Sequence, residues 1–333
     1  RLWPDNPYAL YHAGRAALAL GDIDAALERF RSSTRVSMSA TDAAYQAARI
    51  LSAEGSWVVA HETLGQARNE LTPEAKLLRI ELVGRLGSAE AAWKAAQRFS
   101  SRHPDRLGEA VARVVDLVGR SRGAEKAWPR IAPLLEDALP PHQRVAVLES
   151  ALRWAPAEER ERVGEAIERL AGAHPELAGA HVLMGRLRED AGDAEAVIEH
   201  YREALERQPD QPAALLGLAR AMAGRDPAES RSLLERALEA EVLEVEAFLD
   251  VIRRLEEQGQ LDEAGGEDLL MRALQVEPTS GRLALELATR LEARDQADPR
   301  VVDLARRAVR FRAGKEAELL LSRARANESS RGG

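Results

Sequence analysis

Apolar side chains recur at three- and four-residue steps along most of the chain, the spacing that gives a helix one buried stripe. The clearest stretch, 178–209, splits into two such runs, one over about 178–190 and one over about 194–207, broken at "DAGD" and closed by Pro209. The break has a physical reading. Gly192 can adopt the left-handed conformation that ends a helix, and Asp193 can cap the next one. Proline then stops the second run, because it lacks an N–H and biases its predecessor away from helix. The same grammar returns in "LALGDIDAALERF" (18–30) and in "AEGSWVVAHETL" (53–64), where Ser56 takes the capping place.

Two rulers set the period of this pattern. Pro104, Pro140, Pro175 and Pro209 follow one another at 36, 35 and 34 residues, and Pro278 lies 69 further on, about two periods. Ala204, Ala237, Ala273 and Ala308, each in an apolar turn, are spaced by 33, 36 and 35. Self-similarity at about 34 residues marks a solenoid of stacked helix pairs, in which no single unit buries its own apolar face.

The residues at these recurring places resemble the tetratricopeptide repeat family. Segment 178–209 supplies Gly185, Gly192, Tyr201, Ala204 and Pro209. Segment 7–40 supplies Gly14, Gly21, Ala26 and Phe30, with Met38 where proline is usual. Segment 41–74 supplies Ala48, Gly55, Ala60, Leu64 and Ala67, with Pro73 one residue late. The resemblance implies an all-α, right-handed superhelical solenoid of α–α units, here about nine helix pairs over 6–312 and a capping helix at 315–326. It also implies that first helices line a concave groove where partners bind. Phasing divides the chain into N-terminal repeats (1–104), a looser helical stretch (105–177), C-terminal repeats (178–312) and a cap with a frayed tail (313–333). Within the looser stretch, Pro129 falls near a helix start, whereas Pro133 should kink or restart the helix.

Composition narrows the chemistry. The 333 residues carry a formal charge of −8, which argues against a general nucleic-acid-binding surface. There are no cysteines, so disulfide frameworks, thiolate metal sites and cysteine nucleophiles are excluded. No apolar run reaches the roughly 18–20 residues of a membrane span, so no direct membrane insertion is expected. The first residue is Arg1, and the sequence reads as a segment cut from something longer, of bacterial style. No dinucleotide fingerprint, phosphate-binding loop, H-E-x-x-H or G-x-S-x-G motif occurs, so no enzyme and no cofactor is expected. His181 and His200 lie on the two helices of one repeat and are able to meet; without a legible third ligand, packing or a surface contact is expected rather than a metal. Trp57, Trp93, Trp128 and Trp154 are expected to fill grooves between helices.

Binding chemistry is legible at one helical position per repeat that points into the groove. Arg15, Arg49, Arg186, Arg220 and Arg253 occupy it, and 15→49, 186→220 and 220→253 are steps of 34, 34 and 33. Such a row suits an acidic peptide, a phosphate or a carboxylated polymer. It equally suits ion pairing with neighbours such as Glu189 or Glu256, since 43 of the 47 basic residues are arginine. Tyr8 and Tyr11 precede Arg15 by about one turn, and Tyr45 precedes Arg49 likewise, so three of the four tyrosines join two arginines on one face. The expected function is a non-catalytic scaffold or adaptor that holds a protein or peptide partner, acidic in character, in the concave groove. No nucleic-acid partner is expected, and homo-oligomerisation is left open. The alternatives are a periplasmic repeat array of an exopolysaccharide synthesis and secretion machine (alginate, cellulose or Pel type) and the substrate-docking arm of an enzyme. The compartment reads as bacterial periplasm or cytoplasm, with a lean to the periplasm.

Overall fold

The computed structural model describes residues 6–37, 40–67, 70–135, 139–240, 243–296 and 298–329. Met38 and the tail beyond Ser329 lie outside the described residues. The chain is all-α: nineteen α-helices and three short 3-10 turns, with no strand among the described residues. They amount to nine successive helix pairs and a last single helix. By their contacts they form two compact units, one of residues 1–69 with 223–333 and one of residues 70–222.

The first unit holds α1 (Pro7–Ala19), α2 (Ile23–Val36), α3 (Thr41–Ala53) and α4 (Trp57–Gln66) from the start of the chain. The second holds α5 (Pro73–Leu86), α6 (Ala89–Ser100), α7 (Leu107–Arg122), α8 (Ala124–Ile131), α9 (Pro141–Trp154), α10 (Arg160–Ala173), α11 (Ala178–Ala191), α12 (Ala194–Arg207) and α13 (Pro212–Met222). The chain then supplies the rest of the first unit: α14 (Pro227–Glu239), α15 (Val245–Glu257), α16 (Glu263–Val276), α17 (Gly281–Arg294), α18 (Arg300–Arg310) and α19 (Lys315–Ser329).

The turn grammar read from the sequence is built as expected at α11–α12. Gly192 sits at φ 74°, and Asp193 accepts a bond from the Ala196 amide at 3.2 Å. Asp22 caps α2 in the same way, through Ala25 at 3.0 Å. Ser56 takes the N-cap position of α4 but makes no side-chain capping bond. Pro133 does end regular helix: α8 passes into a 3-10 turn over Ala132–Leu135. Pro129 lies inside α8 rather than at its start, in a helix of only 8 residues.

At several places a large aromatic side chain between helices is set against glycine. Tyr201 of α12 is fully buried between α11 and α13. A Cβ added to Gly185 or Gly217 would lie 2.7 or 2.3 Å from its ring, so only glycine admits the ring there. Its hydroxyl donates to Glu189 Oε1 at 3.1 Å. Burial, and then the Glu189 charge, push that hydroxyl's pKa up, so it stays a donor at any physiological pH. Phe30 faces Gly14 in the same relation, and the Trp154 indole lies over Gly119 while its Nε1 donates to Asp116 at 2.7 Å.

Arginines also tie the first helices of successive pairs together. In the second unit Arg113 meets Glu81 at 3.7 Å, Arg153 meets Asp116 at 2.6 Å and Arg186 meets Glu149 at 2.6 Å. Arg220 closes the series on Glu189. In the first unit Arg290 of α17 bridges to Glu256 of α15 in the same sense. Each acid lies on the earlier first helix and each guanidinium on the next. The repeat therefore propagates charge pairing together with apolar packing.

Candidate functional site

The first unit contains contacts that a strictly neighbour-to-neighbour array lacks. Arg310, at the end of α18, donates to Asp24 Oδ1 at 2.8 Å and to Glu54 Oε1 at 2.5 Å. The Arg312 guanidinium stacks over Trp57 at 5.3 Å. The turn glycines Gly21 and Gly55 lie against the guanidiniums of Arg307 and Arg312. The early and late helices of the unit thus meet edge to edge, and two clefts lie along this seam.

The smaller cleft, about 520 Å³, gathers part of the predicted cluster. Tyr11, Arg15 and Leu18 come from α1, Gln46, Arg49 and Ile50 from α3. The opposite wall is Leu238, Glu239 and Ala240 with Gln275, Val276, Pro278 and Thr279. Tyr11 is held by its ring contact with Phe30 at 5.9 Å between centroids. Arg49 stacks 5.9 Å above Tyr45 and touches Gln46 Oε1 at 3.5 Å. Neither Arg15 nor Arg49 pairs with a carboxylate among the described residues, and both are exposed. Tyr8 stays outside the cleft, 72% exposed, stacked edge-on with His12 at 4.2 Å. Tyr45 lies beneath Arg49 and sets its position.

Glu239 in the opposite wall and Glu277, which feels the Arg49 charge, are acidic neighbours of that cleft. Burial raises the pKa of Glu277 above the ordinary carboxylate value, although the Arg49 charge pulls it down. A carboxyl raised in the folded state favours folding while it is protonated and opposes it once ionised. Its contribution is therefore fully present below the unfolded pKa and lost as pH rises through the folded one. Glu277→Gln should raise the thermal unfolding midpoint at neutral pH, with the gain shrinking toward zero as pH falls to about 4. A gain that persists unchanged in acid would show that charge burial is not the cause.

The larger cleft, about 840 Å³, lies beside it and runs between the α1–α2 turn and helices α16, α17 and α18. Leu20, Met271, Leu287 and Leu304 supply apolar wall, and Arg300, Arg306, Arg307 and Arg310 supply charge. Three of these guanidiniums are occupied by carboxylates: Arg300 by Asp298, Arg306 by Asp303 and Arg310 by Asp24 and Glu54. Arg307 instead donates to the Pro278 carbonyl at 2.8 Å, and burial lowers its pKa to about 10, which leaves it charged at neutral pH.

The other predicted arginines are not brought to these clefts. Arg186 and Arg220 belong to the second unit and are taken up by Glu149 and Glu189. Arg253 pairs within its own helix, 3.6 Å from Asp250. The seam residues Arg310 and Arg312 were not foreseen, because Asp24, Glu54 and Trp57 lie more than 200 positions away and no spacing rule reaches that far.

Paired helices throughout, a glycine-accommodated aromatic between them and a 34-residue period together define a helical-repeat scaffold. Residues 178–221 match the family model described as "Tetratricopeptide repeat". The chain is also similar to solved repeat structures, at low identity. A chain of the APC/C hetero-tetramer Cut9–Hcn1 aligns with 95% of this chain at 11% identity and TM-score 0.46; the chain spans 63% of its length. The human IFIT1 dimer with m7Gppp-AAAA aligns with 85% of this chain and 70% of its own at 15% identity and TM-score 0.43. Yeast Tom70 aligns with 99% of this chain and 90% of its own at 11% identity and TM-score 0.38. No curated protein sequence matches the chain. Among the described residues no helix is long and apolar enough to cross a membrane.

Proposed function

We propose that this chain is a non-catalytic adaptor that holds an acidic segment of a partner protein in the cleft lined by Tyr11, Arg15 and Arg49. The observation that carries the reading is the difference among the arginines. Of the five arginines in the predicted row, Arg186, Arg220 and Arg253 are spent on carboxylates of the chain itself, whereas Arg15 and Arg49, one repeat apart, line the cleft and form no ion pair among the described residues. Two guanidiniums in step give a charge-assisted bond to each of two acidic side chains. Tyr11, Leu18, Ile50 and Val276 add apolar area beside them, the mixture typical of an interface anchor. Arg186, Arg220 and Arg253 then belong to the scaffold and not to the recognition strip. The acidic character of the whole chain, −8, also disfavours a nucleic acid as the occupant.

A titration by fluorescence polarisation tests this, using a labelled Glu/Asp-rich peptide and a Lys-rich control of equal length. The acidic peptide should bind at low salt and weaken steeply as ionic strength rises toward 1 M, where screening acts within about 3 Å. Equal binding of both peptides, or indifference to salt, would count against the cleft as an acidic-segment site.

A further inference from the structure

The helix pair α11–α12 in the second unit carries a cluster that the scaffold reading leaves unused. His181 of α11 and His200 of α12 point toward each other, with ring centroids 6.1 Å apart. Glu203, three residues after His200 on the same helical face, completes the group. Its Oε2 lies 2.8 Å from His181 Nδ1 and 3.1 Å from His200 Nδ1. The three side chains offer ligand atoms that all lie within 4.8 Å of one another.

Tautomer chemistry decides what this group wants. Nε2 of His181 lies 2.9 Å from the Pro175 carbonyl, an acceptor only, so Nε2 carries the proton. Neutral His181 therefore presents a bare lone pair at Nδ1. That atom is buried, and it makes no hydrogen bond in the structure. The residue as a whole is 6% exposed. A lone pair turned toward a carboxylate oxygen at 2.8 Å is repulsive unless a cation or a further proton lies between them.

We propose that His181, His200 and Glu203 form a binding site for a divalent transition-metal ion of the zinc type. Two imidazole nitrogens and one carboxylate oxygen are a known three-ligand set for zinc, with a fourth position left for water or a partner's side chain. Tetrahedral ligands at about 2.0–2.1 Å from the metal stand roughly 3.4 Å apart, so the spacings of 2.8 and 3.1 Å open by about 0.6 and 0.3 Å. The Pro175 carbonyl supplies the outer contact that orients a ligating histidine and fixes its tautomer. Arg207 Nε donates to the same carbonyl at 2.5 Å and so holds that acceptor in place. Hard, oxygen-seeking magnesium is a poor match for two nitrogens.

His181 and His200 were legible in the sequence as a pair able to meet, whereas Glu203, which stands in an i, i+3 relation to His200 on the same helix, was missed. The packing of α11 on α12 brings His181 to that face, with Glu203 Oε2 2.8 Å from its Nδ1. The site does not depend on the acidic-segment cleft, which lies in the other unit.

Isothermal titration of the tag-free chain with zinc chloride, and separately with magnesium chloride, at neutral pH is the test. One equivalent of zinc should bind and magnesium should not. His200→Ala, at a partly exposed position that leaves the fold intact, and Glu203→Gln should each weaken zinc binding at least about tenfold. Zinc should also raise the thermal midpoint of the wild-type chain and leave that of His200→Ala unchanged. The proposal is overturned if zinc is not taken up, or if both variants bind it as tightly as wild type. It is equally overturned if the zinc-free chain shows a pH-dependent midpoint that Glu203→Gln abolishes while no zinc binds, because His181 is then a buried imidazolium paired with Glu203.

Discussion

Tyr201→Ala is expected to lower stability by about 3–5 kcal/mol, the cost of emptying a fully buried aromatic site. The ring is flanked by Gly185 and Gly217, which have no side chains to move inward. The complementary change discriminates packing from propensity. Alanine is preferred over glycine inside a helix by roughly 1 kcal/mol, so Gly217→Ala should stabilise if propensity were all that mattered. Its Cβ, however, would meet Tyr201 ring carbons at 2.3 and 2.5 Å. Overpacking of that kind costs about 1–3 kcal/mol, so the net effect should be destabilising in the wild-type background. In the Tyr201→Ala background the obstacle is gone and Gly217→Ala should become neutral or favourable. Urea unfolding followed by helical circular dichroism reads the midpoints. Amide exchange within α11–α13 reads the local effect, which matters because repeat arrays need not unfold in one step. Equal destabilisation of both backgrounds would show that Tyr201 is not what requires glycine at 217.

The helix pairs were legible because their signals are local. The Gly192–Asp193 turn, the stop before Pro209 and the placement of Tyr201 opposite Gly185 each depend on residues within one repeat. Helices α11 and α12 fall within about a residue of the bounds that periodicity implied. The capping helix runs a few residues further than expected, to Ser329, since nothing in "NESS" forbids another turn. The clefts were legible only in part. Tyr11, Arg15 and Arg49 share a face by spacing alone, but the wall opposite them comes from residues 238–240 and 275–279. Sequence periodicity describes each repeat against its neighbours and is silent on contacts such as Arg310 with Asp24. It was equally silent on which arginines are occupied. Arg186 and Arg15 hold the same position in their repeats, yet Arg186 pairs with Glu149 while Arg15 forms no ion pair among the described residues. For His181, the missing element was the direction of Nδ1, which depends on the Pro175 carbonyl outside either helix.

Arg15→Glu combined with Arg49→Glu should weaken binding of an acidic segment by about a hundredfold or more while leaving helicity unchanged. Exposed arginines without a carboxylate partner contribute little to folding, since even surface ion pairs amount to only ~0–1 kcal/mol. A charge-assisted hydrogen bond to a bound carboxylate contributes about 1.5–3 kcal/mol, and two are lost together. Reversal adds repulsion to that loss, and each ~1.4 kcal/mol is a factor of ten in affinity. Arg253→Glu serves as the control, because its guanidinium is already close to Asp250 and lies outside the cleft. The most direct test of the adaptor reading is the affinity of one acidic peptide for wild type, the Arg15/Arg49 double variant and Arg253→Glu, measured side by side at low salt. The cleft account predicts a collapse in the double variant and a change of less than about threefold, under ~1 kcal/mol, in the control. Undiminished affinity in the double variant, or an equal loss in Arg253→Glu, would contradict it.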